Sequence, residues 1–195
     1  MPEKITAVIL CGGKAQRMNG ADKGLQILID KPLYQWVYQV ILPQVNEVII
    51  NANRSLTQYA ASGLTVISDD LAGYLGPLSG MLTGLQHTKS DWVLFVPCDT
   101  PYLPVNLVEK LAAARQANTQ VVYATDGERE HPTCCLLHRS LLPALNAYLQ
   151  QGNRRVLGFF KQQAYQTADF SNEKTHFINI NSVDELHFYA QQEEQ

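Results

Sequence analysis

The chain has 195 residues, 15 basic and 18 acidic for a formal net charge of −3, and 46% of them are hydrophobic. That length fits one domain and that apolar share fits a packed core, while the slight acidity argues against a general nucleic-acid binder, which carries a basic excess. No run approaches the ~18 apolar residues of a membrane span, and Met1-Pro2-Glu3-Lys4 passes into a strand without the apolar stretch of a secretory signal, so a cytoplasmic location is expected. Cys134 and Cys135 are adjacent and no Cys-x-x-Cys pair occurs, which suggests neither a zinc site nor a redox motif.

In chain order, Ile5–Leu10 comes first and reads as a buried strand. The loop after it, Cys11-Gly12-Gly13-Lys14-Ala15-Gln16-Arg17-Met18-Asn19-Gly20-Ala21-Asp22-Lys23-Gly24-Leu25, joins a glycine pair to three cations. Paired glycines let the backbone approach a ligand, and N–H groups in such a loop converge on an anion. With Lys14, Arg17 and Lys23 adding full positive charge, the ligand that suits this loop is a polyphosphate; an ordinary solvated loop is the competing reading. A P-loop would end in Gly-Lys-Ser/Thr and a dinucleotide loop would read Gly-x-Gly-x-x-Gly, and neither pattern is present.

A helix over 33–42 leads to a strand at Glu47–Asn51, and a further strand covers 65–68. The helix Pro77–His87 precedes the apolar strand Trp92–Pro97, and a helix over 104–115 follows. Strands over 120–123 and 133–137, helices over 141–150 and 153–160, a strand over 177–180 and a helix over 183–191 complete the series. Pro77 and Pro104 suit a first helical turn, and Ser182 with Glu185 has the capping-box spacing. Strands alternating with helices imply right-handed parallel βαβ units, hence an α/β three-layer fold with a mostly parallel central sheet and helices on both faces.

Such sheets bind ligands at the carboxyl ends of their strands. The glycine loop, Asn51, Asp69 and Asp99 each follow a strand, so four separate segments converge on one edge. Asp99 suits either a Mg²⁺ ligand, since magnesium takes hard oxygen donors, or a cap of the following turn. Asn51 suits either ligand contact or a turn. Asp69 and Asp70 form no acid–base dyad, because neighbours in an extended strand point apart. Cys11 and Cys98, beside the candidate phosphate and metal positions, read as small buried residues.

Leu10-Cys11-Gly12-Gly13-Lys14-Ala15-Gln16-Arg17-Met18, Gly20 and Asp22-Lys23-Gly24 resemble the phosphate loop of the nucleotidyltransferases that build the molybdenum cofactor. The wider superfamily, which activates sugar phosphates, usually has proline before this lysine; Asp22 points to the molybdopterin branch, and the Leu-x-Gly-Gly form to its guanine-using members. Cys11 stands where alanine is more usual. The resemblance extends over nearly the whole chain, through Val48-Ile49-Ile50-Asn51-Ala52-Asn53-Arg54, Asp69, Gly76-Pro77-Leu78-Ser79-Gly80-Met81, Pro97-Cys98-Asp99-Thr100-Pro101, Asp126-Gly127-Glu128-Arg129 and Phe177-Ile178-Asn179-Ile180-Asn181.

The resemblance implies a Rossmann-like fold and one domain over 1–195, with a GTP-binding N-terminal part and a molybdopterin-binding C-terminal part. It implies transfer of GMP from GTP to the terminal phosphate of Mo-molybdopterin, with release of pyrophosphate. Asp99 would hold Mg²⁺, Lys23 would reach the α-phosphate side and Arg17 would grip the departing pyrophosphate. Leu10, Cys11, Gly12, Gly13, Asn51 and Asp69 would bind GTP, with Asp69 accepting from the guanine donors. Asn179, Asn181, Arg154 and Arg155 would serve the molybdopterin, and segment 126–133, which holds His131, would form a lid or pterin-facing loop. The acceptor phosphate has a second pKa near ~6 and needs no general base, so direct in-line attack is expected. Expected partners are other cofactor-synthesis proteins and molybdoenzyme chaperones in transient contact, with no nucleic acid and no membrane. Two other readings remain: a sister transferase using CTP or a sugar phosphate, and a nucleotide-binding regulatory module without catalysis.

Overall fold

A computed structural model describes residues 3–12, 21–70 and 76–193. Seven strands form one sheet, in the order β5-β4-β1-β6-β8-β7-β9. They are β1 (Ile5–Leu10), β4 (Glu47–Asn51), β5 (Thr65–Ile67), β6 (Trp92–Pro97), β7 (Val121–Thr125), β8 (Glu130–His138) and β9 (Tyr165–Asp169). A separate two-stranded hairpin pairs β2 (Ile27–Leu28) with β3 (Lys31–Pro32). The helices are α1 (Leu33–Ile41), α2 (Leu56–Ala60), α3 (Pro77–His87), α4 (Leu107–Ala113), α5 (Leu142–Gln150), α6 (Val156–Phe160) and α7 (Val183–Glu193).

Period-two alternation in the strands builds two cores. From β1, Ala7 and Ile9 join Val37 and Ile41 of α1 and Leu107 and Leu111 of α4 on one face. Val8 points the other way, into Met81, Leu82 and Leu85 of α3, Leu145 of α5 and Phe159 and Phe160 of α6. Helices therefore cover both faces, as expected. Gly84 lets α3 lie close on the sheet, because a Cβ there would stand 2.6 Å from the Phe95 ring.

β4, β5 and β6 join β1 in parallel order, and β8 is antiparallel to both β6 and β7. β8 returns directly from β7 through a short turn, so no crossover helix separates the two and their pairing must reverse. Its register against β7 shifts between Tyr123 and Ala124, next to Pro132, and a proline inside a strand is tolerated at such an irregularity.

Besides α2 and the β2–β3 hairpin, which the sequence pattern does not mark, three elements depart from expectation. The stretch 177–180 is not a strand: a 3₁₀ helix runs Ser171–Phe177, and Ile180 makes one backbone bond to the Asp99 carbonyl, 2.8 Å long. Its buried residues, Phe177 and Ile180, enter different cores at a spacing of three, whereas a strand buries alternate positions. The true last strand is β9, where Ala168 is the one fully buried residue, so an apolar pattern hardly marks it. α4 starts at Leu107, and Pro104 instead accepts from the Leu107 N–H in the preceding turn.

A third core ties the hairpin to α7, with Leu28 and Leu33 packed on Ile180 and Leu186 and with Trp36 and Tyr189 alongside. The Trp36 Nε1–H donates to the Leu28 carbonyl at 3.1 Å. This core places the segment after Lys23 against the segment that carries Asn181.

Candidate active site

The carboxyl ends of β1, β4 and β6 open into a cleft of about 260 Å³. Among the described residues its wall includes Leu10, Cys11, Gly12, Lys23, Asn51, Asp69, Gly76, Pro77, Gly80, Cys98, Asp99, Thr133 and Asn179. Every expected nucleotide residue that lies within the described chain is thus present in one cavity. Gly13, Lys14 and Arg17 fall outside the described residues.

Asp99 sits two residues beyond β6, and only 8% of its surface is exposed. Lys23 crosses the cleft to it, with Nζ 2.6 Å from Asp99 Oδ2 and 2.7 Å from Asn181 Oδ1. Each charge supplies the other's counter-ion in a half-buried setting, which a lone charge would resist. Asn179 Oδ1 accepts from the Thr100 hydroxyl at 2.8 Å, and Glu185 accepts from the Asn181 N–H at 2.5 Å. The Ser182–Glu185 spacing therefore forms half a capping box: Ser182 Oγ accepts from the Glu185 N–H, while the glutamate reaches Asn181 instead of Ser182.

The opposite wall is an amide–carboxylate cluster. Asn51 Nδ2 donates to Asp69 Oδ1 at 2.8 Å and Asn53 Nδ2 donates to Asp69 Oδ2 at 3.0 Å. Asn53 Oδ1 accepts in turn from the Asp69 N–H at 2.8 Å. Asn51 and Asn53, two residues apart at a strand end, thus converge on one carboxylate, a spacing that marks Asn53 in retrospect. The Asn51 side chain lies against α3, where a Cβ on Gly80 would stand 2.4 Å from Asn51 Oδ1, so only glycine fits there without movement. Leu10 C=O accepts from Cys98 N–H, and Cys11 N–H donates to Asn51 C=O; these groups extend the sheet. Hydrogen bonding to Cys11 and burial push the Cys98 thiol well above its usual range, so it stays protonated.

The expected molybdopterin residues divide. Asn179 lines the cleft, and Asn181 meets it through its hydrogen bond with Lys23. Arg154 and Arg155 are exposed and absent from its described wall; Arg154 donates to the carbonyls of Leu149 and Asn153 at 2.7 and 2.6 Å, closing the end of α5. His131 lies on β8 rather than on a free lid. Its Nε2 stands 2.8 Å from Asp126 Oδ2, and its ring stacks on Phe177 at 4.6 Å. Burial would raise the Asp126 pKa, but hydrogen bonds from His131 and from the Arg129 and Glu128 N–H groups outweigh it and hold the carboxyl at about 2.

A cation–carboxylate pair and an amide–carboxylate cluster at the strand ends of an α/β sheet fit a nucleotide-handling enzyme of the transferase type. The family described as "MobA-like NTP transferase domain" matches residues 7–167, and the chain belongs to it; it is a nucleotidyltransferase. A molybdenum cofactor guanylyltransferase of Pasteurella multocida is 53% identical over 93% of this chain and 96% of its own. One of Histophilus somni is 48% identical over 97% of each. The crystal structure of molybdopterin-guanine dinucleotide biosynthesis protein A from Archaeoglobus fulgidus has a TM-score of 0.80 over 97% of this chain and 98% of that one, at 20% identity, which shows the shared fold.

Proposed function

We propose that the protein transfers GMP from GTP to the terminal phosphate of Mo-molybdopterin, forming the guanine dinucleotide and releasing pyrophosphate. The observation that carries this reading is the Lys23–Asp99 pair across the cleft from the Asn51–Asp69 cluster, in a chain whose near full-length relatives carry the guanylyltransferase name. In the proposed reaction Lys23 leaves Asp99 for the α-phosphate and stabilises charge where it builds in the transition state. Arg17 takes the departing pyrophosphate. The acceptor phosphate is largely dianionic at neutral pH, with a second pKa near ~6, so it attacks in line without a general base. Asp69, with spare lone pairs beside Asn51, accepts from the guanine N1–H and exocyclic amine. Gly12 and Gly13 let the backbone approach the phosphates.

The donor set fits Mg²⁺: one buried carboxylate, Asp99, shares the Lys23 ammonium with the Asn181 amide oxygen, Asn179 lines the same cleft, and magnesium commonly takes one or two carboxylates with the remaining sites filled by phosphate and water. When bound, the ion would neutralise charge on the polyphosphate. We further propose one catalytic domain over 1–195, with GTP held by its N-terminal part and Mo-molybdopterin by Asn179, Asn181, Arg154 and Arg155. The protein would work in the cytoplasm and meet other cofactor-synthesis proteins and molybdoenzyme chaperones transiently. Among the described residues no helix is long and apolar enough to cross a membrane.

The test is a nucleotide panel with Mg²⁺ and molybdenum-loaded molybdopterin, following pyrophosphate release. Release with GTP alone is expected. Release with CTP would move the protein to the sister activity, and GTP binding without release would overturn the transferase reading for this acceptor.

A further inference from the structure

Lys23 is held from behind by a cluster whose side chains are absent from the described cleft wall. Asp22, immediately before it, is buried, and its Oδ1 accepts from the Tyr59 hydroxyl at 2.7 Å. The Arg54 Nε lies 3.5 Å from Asp22 Oδ2, and an Arg54 Nη2–H donates to the Ala21 carbonyl at 3.0 Å. Immediately after Lys23, Gly24 packs on the same hydroxyl: a Cβ there would stand 2.4 Å from Tyr59 Oη. The Asp22 carbonyl accepts from the Leu25 N–H and from Gln26 Nε2, closing the turn around Lys23. Tyr59 is fully buried, edge-on to Tyr34 at 5.2 Å, and is not part of the described cleft wall.

A phenylalanine would fill the same apolar space, so packing alone does not call for the hydroxyl. Burial and the Asp22 carboxylate keep the Tyr59 phenol protonated, which makes it a steady donor. The hydroxyl and Arg54 together fix the residues on both sides of Lys23, and the direction of a lysine stem follows its backbone. We propose that Tyr59 is a positioning residue for Lys23, acting through Asp22 and Gly24 to aim the ammonium at the reacting phosphate. The inference rests on the catalytic part assigned to Lys23 above. A displacement of about 1 Å in such a group can cost up to ~10²-fold in rate, so loss of one of its tethers is expected to cost about tenfold.

A double-mutant cycle separates aiming from general support of the fold. Tyr59→Phe is measured alone and in a Lys23→Ala background, by single-turnover pyrophosphate release with GTP, Mg²⁺ and molybdenum-loaded molybdopterin, with melting temperatures in parallel. The expected result is a loss of about tenfold in the first case and under about twofold in the second, with the same shift in melting temperature in both. Asp22→Asn, which changes the other end of the link, enters the same cycle and guards against a Tyr59 variant that fails to fold. An equal loss in both backgrounds, or no loss in either, overturns the positioning role. A full rate in Lys23→Ala itself would instead overturn the catalytic reading of Lys23, which the cycle reads independently.

Discussion

The two walls of the cleft are built differently. The wall proposed for the nucleotide stands on strand ends: Asn51 ends β4, Asp69 follows β5, and Cys11 and Asp99 follow β1 and β6, all aligned by one parallel register. The wall proposed for the acceptor stands on irregular chain, where Asn179 and Asn181 follow a 3₁₀ helix and are held by Thr100, Lys23 and Glu185. Sheet registry fixes backbone in the first wall, so one side chain can change without moving its neighbours. In the second, each side chain is part of what holds the next.

The largest effect should come where the walls meet. Asp99→Ala is expected to abolish measurable turnover while melting stays cooperative; a wild-type rate in that variant would remove the metal assignment. Lys23→Ala should lower kcat by roughly 10²–10³, the range for one charge-stabilising group; if only acceptor KM rose, Lys23 would belong to the other pocket. Asn181→Ala removes one of the two partners that the Lys23 ammonium has among the described residues and should cost about tenfold, with effects on both GTP and acceptor KM, since misaimed groups lose rate steeply. An effect on acceptor KM alone would separate the walls again.

The smallest effect concerns stability. The Asp126 carboxyl titrates at about 2 in the folded protein, below its ordinary 3.8. A lowered folded pKa gives stability that is present above about 4 and lost as pH falls toward 2. Asp126→Asn should therefore flatten the acid limb of melting temperature against pH in that window, with little change at neutral pH in that slope. An unchanged acid limb would detach the His131–Asp126 tie from stability.

The same contrast governs how far the site is legible in the chain. Short β-branched runs mark β1, β4, β5 and β6, and anything at or just past their ends lies on the ligand edge, so Asn51, Asp69 and Asp99 are placed there by pattern alone. Asn179 and Asn181 have no such support. Their segment looks like a strand by composition, and it takes its path from one bond to the Asp99 carbonyl and from Ile180 entering the third core. Arg154 and Arg155 were reachable only through family resemblance, and the carbonyls that Arg154 caps lie too near it in sequence to register as a pattern. The reversal of β8 is legible in hindsight from the short turn before it, too brief to hold a crossover helix. Tyr59 carries no signal: a single buried tyrosine in a five-residue helix looks like ordinary core.

Lys23 and the Asn181 it bonds are 158 residues apart. All seven strands of the sheet lie before Asn179 in the chain, the last ending at Asp169. A chain made from its N-terminus can therefore complete its sheet and the strand-end wall before Asn179 and Asn181 have been synthesised. Long-range closures of this kind are late events in folding. The hairpin after Lys23 shares its core with Ile180 and Leu186, so the chain's last residues are needed to cover it and to bring Asn181 to Lys23.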